Sequence, residues 1–182
     1  MVKDKQMENI KVAILLVILV LCFSTNVFSQ GKQNAVANVS ISLVKSLNFR
    51  TVQGNLNFGE IVQTSTSSNL SIIPGKGLLL EVNGSPGKNV FVNYSDVTLN
   101  NENWTDDKGG EKGLLTFSPK VEHTKANMNY SDATQISSGN AYPLEELNGD
   151  GLLYLWVGGE IDVEQSQPFG NYEGQFSVTV SY

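Results

Sequence analysis

The stretch that decides the fold class is Gln175-Phe176-Ser177-Val178-Thr179-Val180-Ser181-Tyr182. Polar and apolar side chains alternate strictly along it, and most of its residues are β-branched or aromatic. Successive side chains of a β-strand point to opposite faces, so one face of this segment is apolar and the other is polar. The segment is therefore predicted to be an antiparallel strand with one buried face.

Short segments of the same kind recur along the chain, separated by clusters of Gly, Asn, Asp, Ser and Pro, which favour turns. No long stretch has the apolar spacing of an amphipathic helix. The other main predicted strands are residues 35–47, 56–61, 70–73, 78–82, 90–94, 114–121 and 152–163. This pattern predicts an all-β protein, a two-sheet antiparallel β-sandwich of about eight or nine short strands, immunoglobulin-like or pilin-like.

The first 29 residues have the layout of a secretory signal peptide. Lysines precede an unbroken apolar run, Val12 to Phe23, which is shorter than the roughly 17–25 apolar residues of a spanning helix. Val27 and Ser29 lie three residues and one residue before the predicted cut, where signal peptidase prefers small or β-branched residues. We therefore predict a signal peptide at residues 1–29 and a single β-sandwich domain at residues 30–182. A retained membrane anchor is the alternative.

Cysteine content and charge narrow the function classes. The single cysteine, Cys22, lies inside the apolar run, and Leu21 stands where a lipoprotein signal needs a small residue. The chain from residue 30 onward therefore has no disulfide, thiolate nucleophile or Cys-ligated metal. It carries 9 basic and 16 acidic residues, so its net charge is −7. Without any run of Lys or Arg, binding to nucleic acid or to anionic lipid is disfavoured.

Three elements occur in the order of a known family. They are Leu56-Asn57-Phe58-Gly59-Glu60-Ile61, Val82-Asn83-Gly84-Ser85-Pro86-Gly87, and the run from Gly170-Asn171-Tyr172 to Tyr182. Together they resemble the domain-of-unknown-function 4402 family of exported bacterial proteins, over roughly residues 35–182. The resemblance implies an exported β-sandwich without assigned chemistry. It also implies similarity to pilin subunits of the chaperone–usher type and to spore-coat-U-like subunits. No catalytic or cofactor-binding residue comes with it.

The sequence does not have the residue patterns of an enzyme or a metal centre. His123 is the only histidine, and the chain has no G-x-S-x-G element. The protein is therefore predicted not to be an enzyme and to need no cofactor. Calcium is a weak alternative, because Asp106, Asp107 and Glu111 share one loop and an N-x-D-G fragment starts at Asn148. A complete calcium loop is absent, and ordinary turn chemistry also explains these residues.

Two polar stretches, residues 100–113 and 127–140, are predicted to be exposed loops. The first contains Trp104, close to Asp106 and Asp107. An aromatic ring beside polar groups is typical of sugar-binding surfaces, so these three residues are candidate ligand contacts. The alternative is a loop that folds back and buries the ring.

Val39, Ile41 and Leu43 alternate with polar residues near the predicted mature start. Such a segment can complete the sheet of a neighbouring molecule, with main-chain hydrogen bonds for affinity and alternate side chains in pockets. These three residues are therefore candidates for strand exchange. The alternative is that the segment pairs within its own sandwich, where it would also protect a free sheet edge.

These observations predict a non-catalytic exported structural or adhesive protein, a pilin-like surface subunit. The alternative is a carbohydrate-binding surface module that uses loop aromatics. The expected location is the periplasm, the outer surface or the extracellular space. The expected partners are other subunits or further copies through strand pairing, or a glycan. Nucleic acid is not expected, and the membrane is expected only through the signal peptide before cleavage.

Overall fold

The computed structural model of the protein describes Met7, Ile41 and residues 43–62 and 66–182. The chain divides into two compact units, Met1–Ile41 and Ser42–Tyr182, and both sheets belong to the second. Apart from Met7, the predicted signal peptide lies outside the described residues, as does Val39. In the part of the chain that is described, no helix combines the length and the apolar character needed to cross a membrane.

The second unit is a mostly antiparallel β-structure, which confirms the predicted all-β sandwich. Its described residues form strands β1 (Asn48–Gln53), β2 (Ser68–Ile72), β3 (Leu78–Gly84), β4 (Asn89–Asn93), β5 (Val97–Asn100), β6 (Leu114–His123), β7 (Thr134–Gln135), β8 (Asn140–Pro143), β9 (Glu145–Leu147), β10 (Asp150–Val163) and β11 (Thr179–Ser181), one α-helix, α1 (Glu102–Lys108), and short 3-10 turns at Pro74–Lys76 and Tyr130–Asp132. The strands outnumber the predicted eight or nine because β7, β9 and β11 have only two or three residues each.

The larger sheet is built around β10. Its strand order is β1-β3-β10-β6-β5, with β2 and β9 also paired to β10 and β7 paired to β6, all antiparallel. Residues Gly151 to Gly159 of β10 are all buried, so both faces of the strand are covered. This explains the continuous apolar run in the middle of β10, since a strand covered on both faces needs no polar side.

Gly158 and Gly159 allow β3 and β2 to pair, one after the other, with the same edge of β10. The strand pairs through Val157 with β3 and from Gly159 onward with β2, and the 3-10 turn at Pro74–Lys76 joins these two partners. A Cβ atom on Gly158 would lie 2.1 Å from the carbonyl oxygen of Ile72. Only glycine permits this close approach of the backbones.

The smaller sheet has the order β11-β4-β8. Its side chains pack on one half of the larger sheet, around the fully buried Val82, Leu153 and Leu155. Phe176, Val178 and Val180 also pack against this core, as the alternation of the C-terminal segment predicts. The smaller sheet is therefore too short to cover the whole apolar face of the larger one.

The other half of that face is covered by segments that are not strands. Leu115, Phe117, Ile161 and Val163 form this second cluster. Leu56 and Phe58 pack on it, although residues 54–62 form no strand, so the predicted strand at 56–61 is wrong. In place of main-chain pairing, its two inward side chains hold the segment to the sheet.

The predicted strand at 35–47 is also wrong for its described part, because Ile41 and residues 43–47 are not in a strand. The first strand among the described residues is β1, which the sequence pattern does not predict. Its side chains are nearly all exposed, so it lacks an apolar face. Hydrogen bonds to β3 define β1, and these depend on a partner distant in the sequence.

The polar stretches are less exposed than predicted. Residues 100–113 contain α1, and Asn101 at its start is fully buried. In residues 127–140, Ile136 is only 2 % exposed and belongs to the core. Tyr130 packs on Trp156 of β10, with ring centroids 5.3 Å apart, on the outer face of the larger sheet. Both stretches therefore cover parts of the sandwich.

Candidate functional site

A groove of about 570 Å³ with an apolar floor lies over the half of the larger sheet that the smaller sheet does not cover. Strands β5, β6 and β10 form its floor. Residues 56–62 form one wall and residues 167–172 the other, with Gly174 and Phe176 beyond. The floor side chains are Val97, Leu99, Leu115, Phe117, Ile161 and Val163.

Phe117 is the central aromatic ring of the floor. Phe58 and Phe176 both approach it edge to face, each with a centroid separation of 5.9 Å. This geometry is favourable for aromatic pairs. Gly159 makes room for the ring, because a Cβ atom there would lie 2.4 Å from Cε2 of Phe117. The floor is thus an organised aromatic cluster.

Asn101 fixes the rim of the groove. Its side-chain amide donates hydrogen bonds to the carbonyl oxygens of Glu111 (3.1 Å) and Phe169 (3.0 Å), and its Oδ1 accepts one from the amide of Gly113 (2.7 Å). One buried side chain therefore ties the start of α1 to two loops. Trp104 of α1, half-buried, lines the groove at this rim.

Two polar side chains of the groove, Gln167 and Tyr172, are bonded to each other and to backbone carbonyls. Gln167 donates from Nε2 to the carbonyl of Leu114 (3.1 Å) and to the hydroxyl of Tyr172 (2.6 Å). That hydroxyl donates in turn to the carbonyl of Pro168 (2.7 Å). Glu60 is the one charged side chain among the described residues that line the groove. The groove therefore combines an apolar floor with polar walls that carry little charge.

The two walls coincide with the sequence elements that carry the family resemblance. Leu56 and Phe58 come from the first element, and Tyr172 and Phe176 from the last. A family model described as "Domain of unknown function (DUF4402)" matches residues 47–182, well over half of the chain. The chain belongs to the DUF4402 family. No curated protein and no solved structure matches it.

In this DUF4402 chain, the candidate ligand residues of the first polar stretch do not converge. Trp104 lines the groove, but Asp106 and Asp107 are exposed and do not. Each aspartate forms an ion pair instead: Nζ of Lys112 lies 3.5 Å from Oδ1 of Asp106, and Nζ of Lys108 lies 3.5 Å from Oδ2 of Asp107. The Trp104 ring is therefore neither fully exposed, as expected of a sugar-binding surface, nor fully buried, as expected of a loop that folds back on itself.

The other candidate loop for calcium is joined to the N-terminal segment. Lys45 Nζ lies 2.8 Å from Oδ1 of Asp150 and also donates to the carbonyl of Gly149. This hydrogen bond and the charge of Lys45 lower the pKa of Asp150. Among the described residues, no three His, Cys, Asp or Glu side chains are grouped closely enough to hold a metal ion.

His123 ends β6 and stacks at a tilt on Tyr142, with ring centroids 5.4 Å apart. Its Nδ1 accepts a hydrogen bond from the amide of Lys125 (3.3 Å). Partial burial, followed by the charge of Lys125, lowers the pKa of His123. The imidazole is therefore half-buried.

The strand-exchange candidates of this DUF4402 chain are exposed where they are described. Ile41 is 84 % exposed and Leu43 is 87 % exposed. Two residues further on, Lys45 is anchored: its carbonyl accepts from the hydroxyl of Tyr182 (2.7 Å), and its amide donates to the hydroxyl of Ser85. Two exposed apolar residues, Ile41 and Leu43, therefore lie just before the anchored Lys45 in the sequence.

Sequence reasoning misses the groove as a site. Phe58 and Phe176 are expected inside the sandwich, and Phe169, Gln167 and Tyr172 are not identified as site residues. The signal that could have found them is the family pattern itself. Its two most aromatic elements contribute facing walls, which indicates a shared surface.

Proposed function

We propose that this protein is a non-catalytic exported structural or adhesive subunit, pilin-like in that copies associate through the segment around Val39, Ile41 and Leu43. The observation that carries the proposal is the exposure of Ile41 (84 %) and Leu43 (87 %). Apolar side chains concentrated in one exposed segment favour burial against a partner. The alternation of these residues suits a strand added to a sheet edge.

The anchoring of Lys45 supports the same proposal. Its amide donates to Ser85, its ammonium group donates to Asp150, and its carbonyl accepts from the hydroxyl of Tyr182. A segment attached to a rigid body loses less freedom on binding than one attached to a long flexible tail. Leu43, two residues before Lys45, would therefore be held close to this anchored residue.

The groove chemistry supports a role without catalysis. Its polar side chains Gln167 and Tyr172 bond to each other and to backbone carbonyls, as expected of groups that stabilise a loop. Nucleophilic catalysis needs a nucleophile within hydrogen-bond reach of a base. His123 packs on the ring of Tyr142 and is not among the residues of the groove.

The test measures the mass of the exported chain in solution by light scattering. The triple variant Val39→Ser, Ile41→Ser and Leu43→Ser is expected to be monomeric where the unchanged protein forms larger species. A matched control, Ser40→Asn with Ser42→Asn, changes the alternate positions of the same segment without adding charge and should retain association. A monomeric unchanged protein, or a triple variant that associates as before, would contradict the proposal.

Carbohydrate binding is the second candidate, and the position of Trp104 favours it. The ring lines the groove next to Phe169, which is 74 % exposed, so two aromatic surfaces stand at one rim. Titration of a Trp156→Phe protein with oligosaccharides would report on Trp104 fluorescence alone. Binding predicts a saturable change that is lost in Phe169→Ala and kept in Phe49→Ala, a change at another exposed ring. No saturable change rejects this candidate.

A further inference from the structure

We infer that the groove over β5, β6 and β10 binds a small organic cation of the quaternary ammonium class, held by aromatic rings and by the carboxylate of Glu60. The inference goes beyond the association proposed above, because residues 39–43 have no part in it. Its basis is the ring content of the groove, the sign of the charge that lines it, and the hydrogen bonds that its polar side chains already make.

Aromatic rings line the groove on its floor and on both walls. Among the described residues they are Phe58, Trp104, Phe117, Phe169, Tyr172 and Phe176. The face of an aromatic ring carries negative charge density, so a cation within about 6 Å of the ring centroid is attracted to it. Phe58 and Phe176 are inclined to Phe117 by 70° and 86°. Rings set at such steep angles to one another are typical of the aromatic cages that bind methylated ammonium groups.

The rings extend from the mouth of the groove to its floor. Phe169 is 74 % exposed, Trp104 and Tyr172 are half-buried, and Phe117 is 3 % exposed. Attraction between a cation and a ring increases as water is removed from around the cation. A quaternary ammonium group has no N–H to hydrate, so it gives up water more readily than a lysine-type ammonium group. This class of cation is therefore suited to the less exposed rings.

The ring of Trp104 is fixed by the loop that packs on it. A Cβ atom on Gly170 would lie 3.1 Å from Cε3 of Trp104 and 2.9 Å from Nδ2 of Asn101. Glycine therefore lets this loop approach the ring closely, while Asn101 bonds to the loop through the carbonyl of Phe169. A ring that is already held in place loses little freedom when a ligand binds.

The charge that lines the groove is negative. Glu60 is the one charged side chain among the described residues that line it, so no Lys, Arg or His of that part of the chain does. The chain from residue 30 carries a net charge of −7. A cation is attracted both by Glu60 and by this net charge, whereas an anion finds no positive partner in the groove.

Several polar side chains of the walls already use their donors within the protein. Nε2 of Gln167 donates to a backbone carbonyl and to the hydroxyl of Tyr172, which donates to another carbonyl. Nδ2 of Asn171 donates to Oε1 of Glu173 (2.9 Å). A sugar needs a set of such polar partners, but a quaternary ammonium group needs none. These bonds favour the cation over a glycan as occupant of the groove.

The same features restrict the rest of the ligand. A groove of about 570 Å³ is within the usual range of small-molecule sites and has room for more than a trimethylammonium group. A carboxylate or phosphate beside the ammonium group would lie near Glu60 without a basic partner. We therefore expect the remainder of the ligand to be uncharged.

Titration of the exported chain with choline chloride tests the inference, with sodium chloride keeping the ionic strength constant. Choline has a trimethylammonium group and an uncharged hydroxyethyl arm. Saturation-transfer NMR of its methyl protons should give a saturable signal, whether or not copies of the chain associate. Binding should be about fivefold weaker for 3,3-dimethylbutan-1-ol, where carbon replaces the nitrogen, and for glycine betaine, which adds a carboxylate. Absence of a saturable choline signal, or equal binding of the neutral analogue, would overturn the inference.

Removing one ring separates attraction to its face from apolar contact. Phe169→Leu keeps an apolar side chain at an exposed position, so the core is left intact. Choline should bind about threefold more weakly to this variant. Phe49→Leu is the matched control, because Phe49 is 40 % exposed and does not line the groove. Equal affinities of these two variants would contradict the assigned site.

Glu60→Gln tests the charge, and Asp107→Asn is the matched control. Both remove one negative charge, but Asp107 is exposed and does not line the groove. Glu60→Gln alone should weaken choline binding, by about twofold to fivefold, and should leave 3,3-dimethylbutan-1-ol unaffected. Equal losses in the two variants would show that net charge and not Glu60 attracts the cation, and would overturn its assigned role.

Competition with oligosaccharides distinguishes the cation from the glycan candidate. Saturable oligosaccharide binding that is lost in Phe169→Leu and that choline does not displace would assign the groove to glycans and overturn the inference. Failure of choline to bind would leave the proposed association untouched, because the mass measured by light scattering depends on residues 39–43 and not on the groove.

Discussion

The hydroxyl of Tyr182 donates a 2.7 Å hydrogen bond to the backbone carbonyl of Lys45, a residue 137 positions earlier in the chain. The same oxygen accepts a 2.8 Å hydrogen bond from the amide of Ser85. The terminal aromatic of the alternating segment therefore joins the exposed N-terminal segment to the end of β3. This contact fixes the point from which Leu43 projects.

Removing the hydroxyl with Tyr182→Phe should weaken the attachment of the N-terminal segment at Lys45. Two hydrogen bonds are lost, and the free energy of unfolding should fall by about 1–2 kcal/mol. Amide hydrogen exchange at residues 45–47 and at Ser85 should accelerate. Tyr142→Phe is the control, because that hydroxyl bonds to Ser137 and not to the N-terminal segment. Unchanged exchange at residues 45–47 in Tyr182→Phe would contradict the anchoring role.

Asn101→Asp should destabilise the groove rim more than its small size change suggests. The aspartate can still accept from Gly113, but it cannot donate to the carbonyls of Glu111 and Phe169. A buried carboxylate facing carbonyl oxygens should lower the free energy of unfolding by about 2–3 kcal/mol, as measured by denaturant titration. Trp104 fluorescence should shift to the red as the rim opens. An unchanged midpoint would show that these bonds are dispensable.

Stability should fall as pH is lowered from above 6.5, because of His123. Burial and Lys125 lower its pKa in the folded protein below the ordinary value of 6.5. The unfolded chain therefore takes up a proton first, and stability declines until the pH reaches the folded pKa, where the contribution levels off. Unfolding curves between pH 5 and 8 measure this, with His123→Gln as the reference. Equal pH slopes in the two proteins would contradict the assigned cause.

Gly158→Ala should cost about 3 kcal/mol or prevent folding, since a Cβ atom there would lie 2.1 Å from the carbonyl oxygen of Ile72. The backbone of β2 and the Pro74–Lys76 turn would have to move. Thermal unfolding measures the change, and Ser177→Ala, at an exposed position, should shift the midpoint by much less. A Gly158→Ala protein as stable as Ser177→Ala would show that the backbone around the Pro74–Lys76 turn can move at little cost.

Features of the fold that depend on neighbouring residues follow from the sequence, whereas those that depend on distant residues do not. The burial of Phe176, Val178 and Val180 follows from their alternation, and the burial of Trp156 follows from its continuous apolar run. By contrast, α1 is only seven residues long and Trp104 is its one large apolar residue, so it has no apolar periodicity that would predict a helix. Its start is stabilised by the buried Asn101, whose partners lie up to 68 residues away.

The sequence by itself determined the all-β class and the inward faces of the strands, because period two is a property of neighbouring residues. Only the tertiary structure decided that β1 pairs with β3, that the segment around Phe58 covers the sheet without being a strand, and that a groove opens beside Phe117. These features depend on how far the smaller sheet extends over the larger one. That extent is set by contacts between residues far apart in the chain, which no local pattern records.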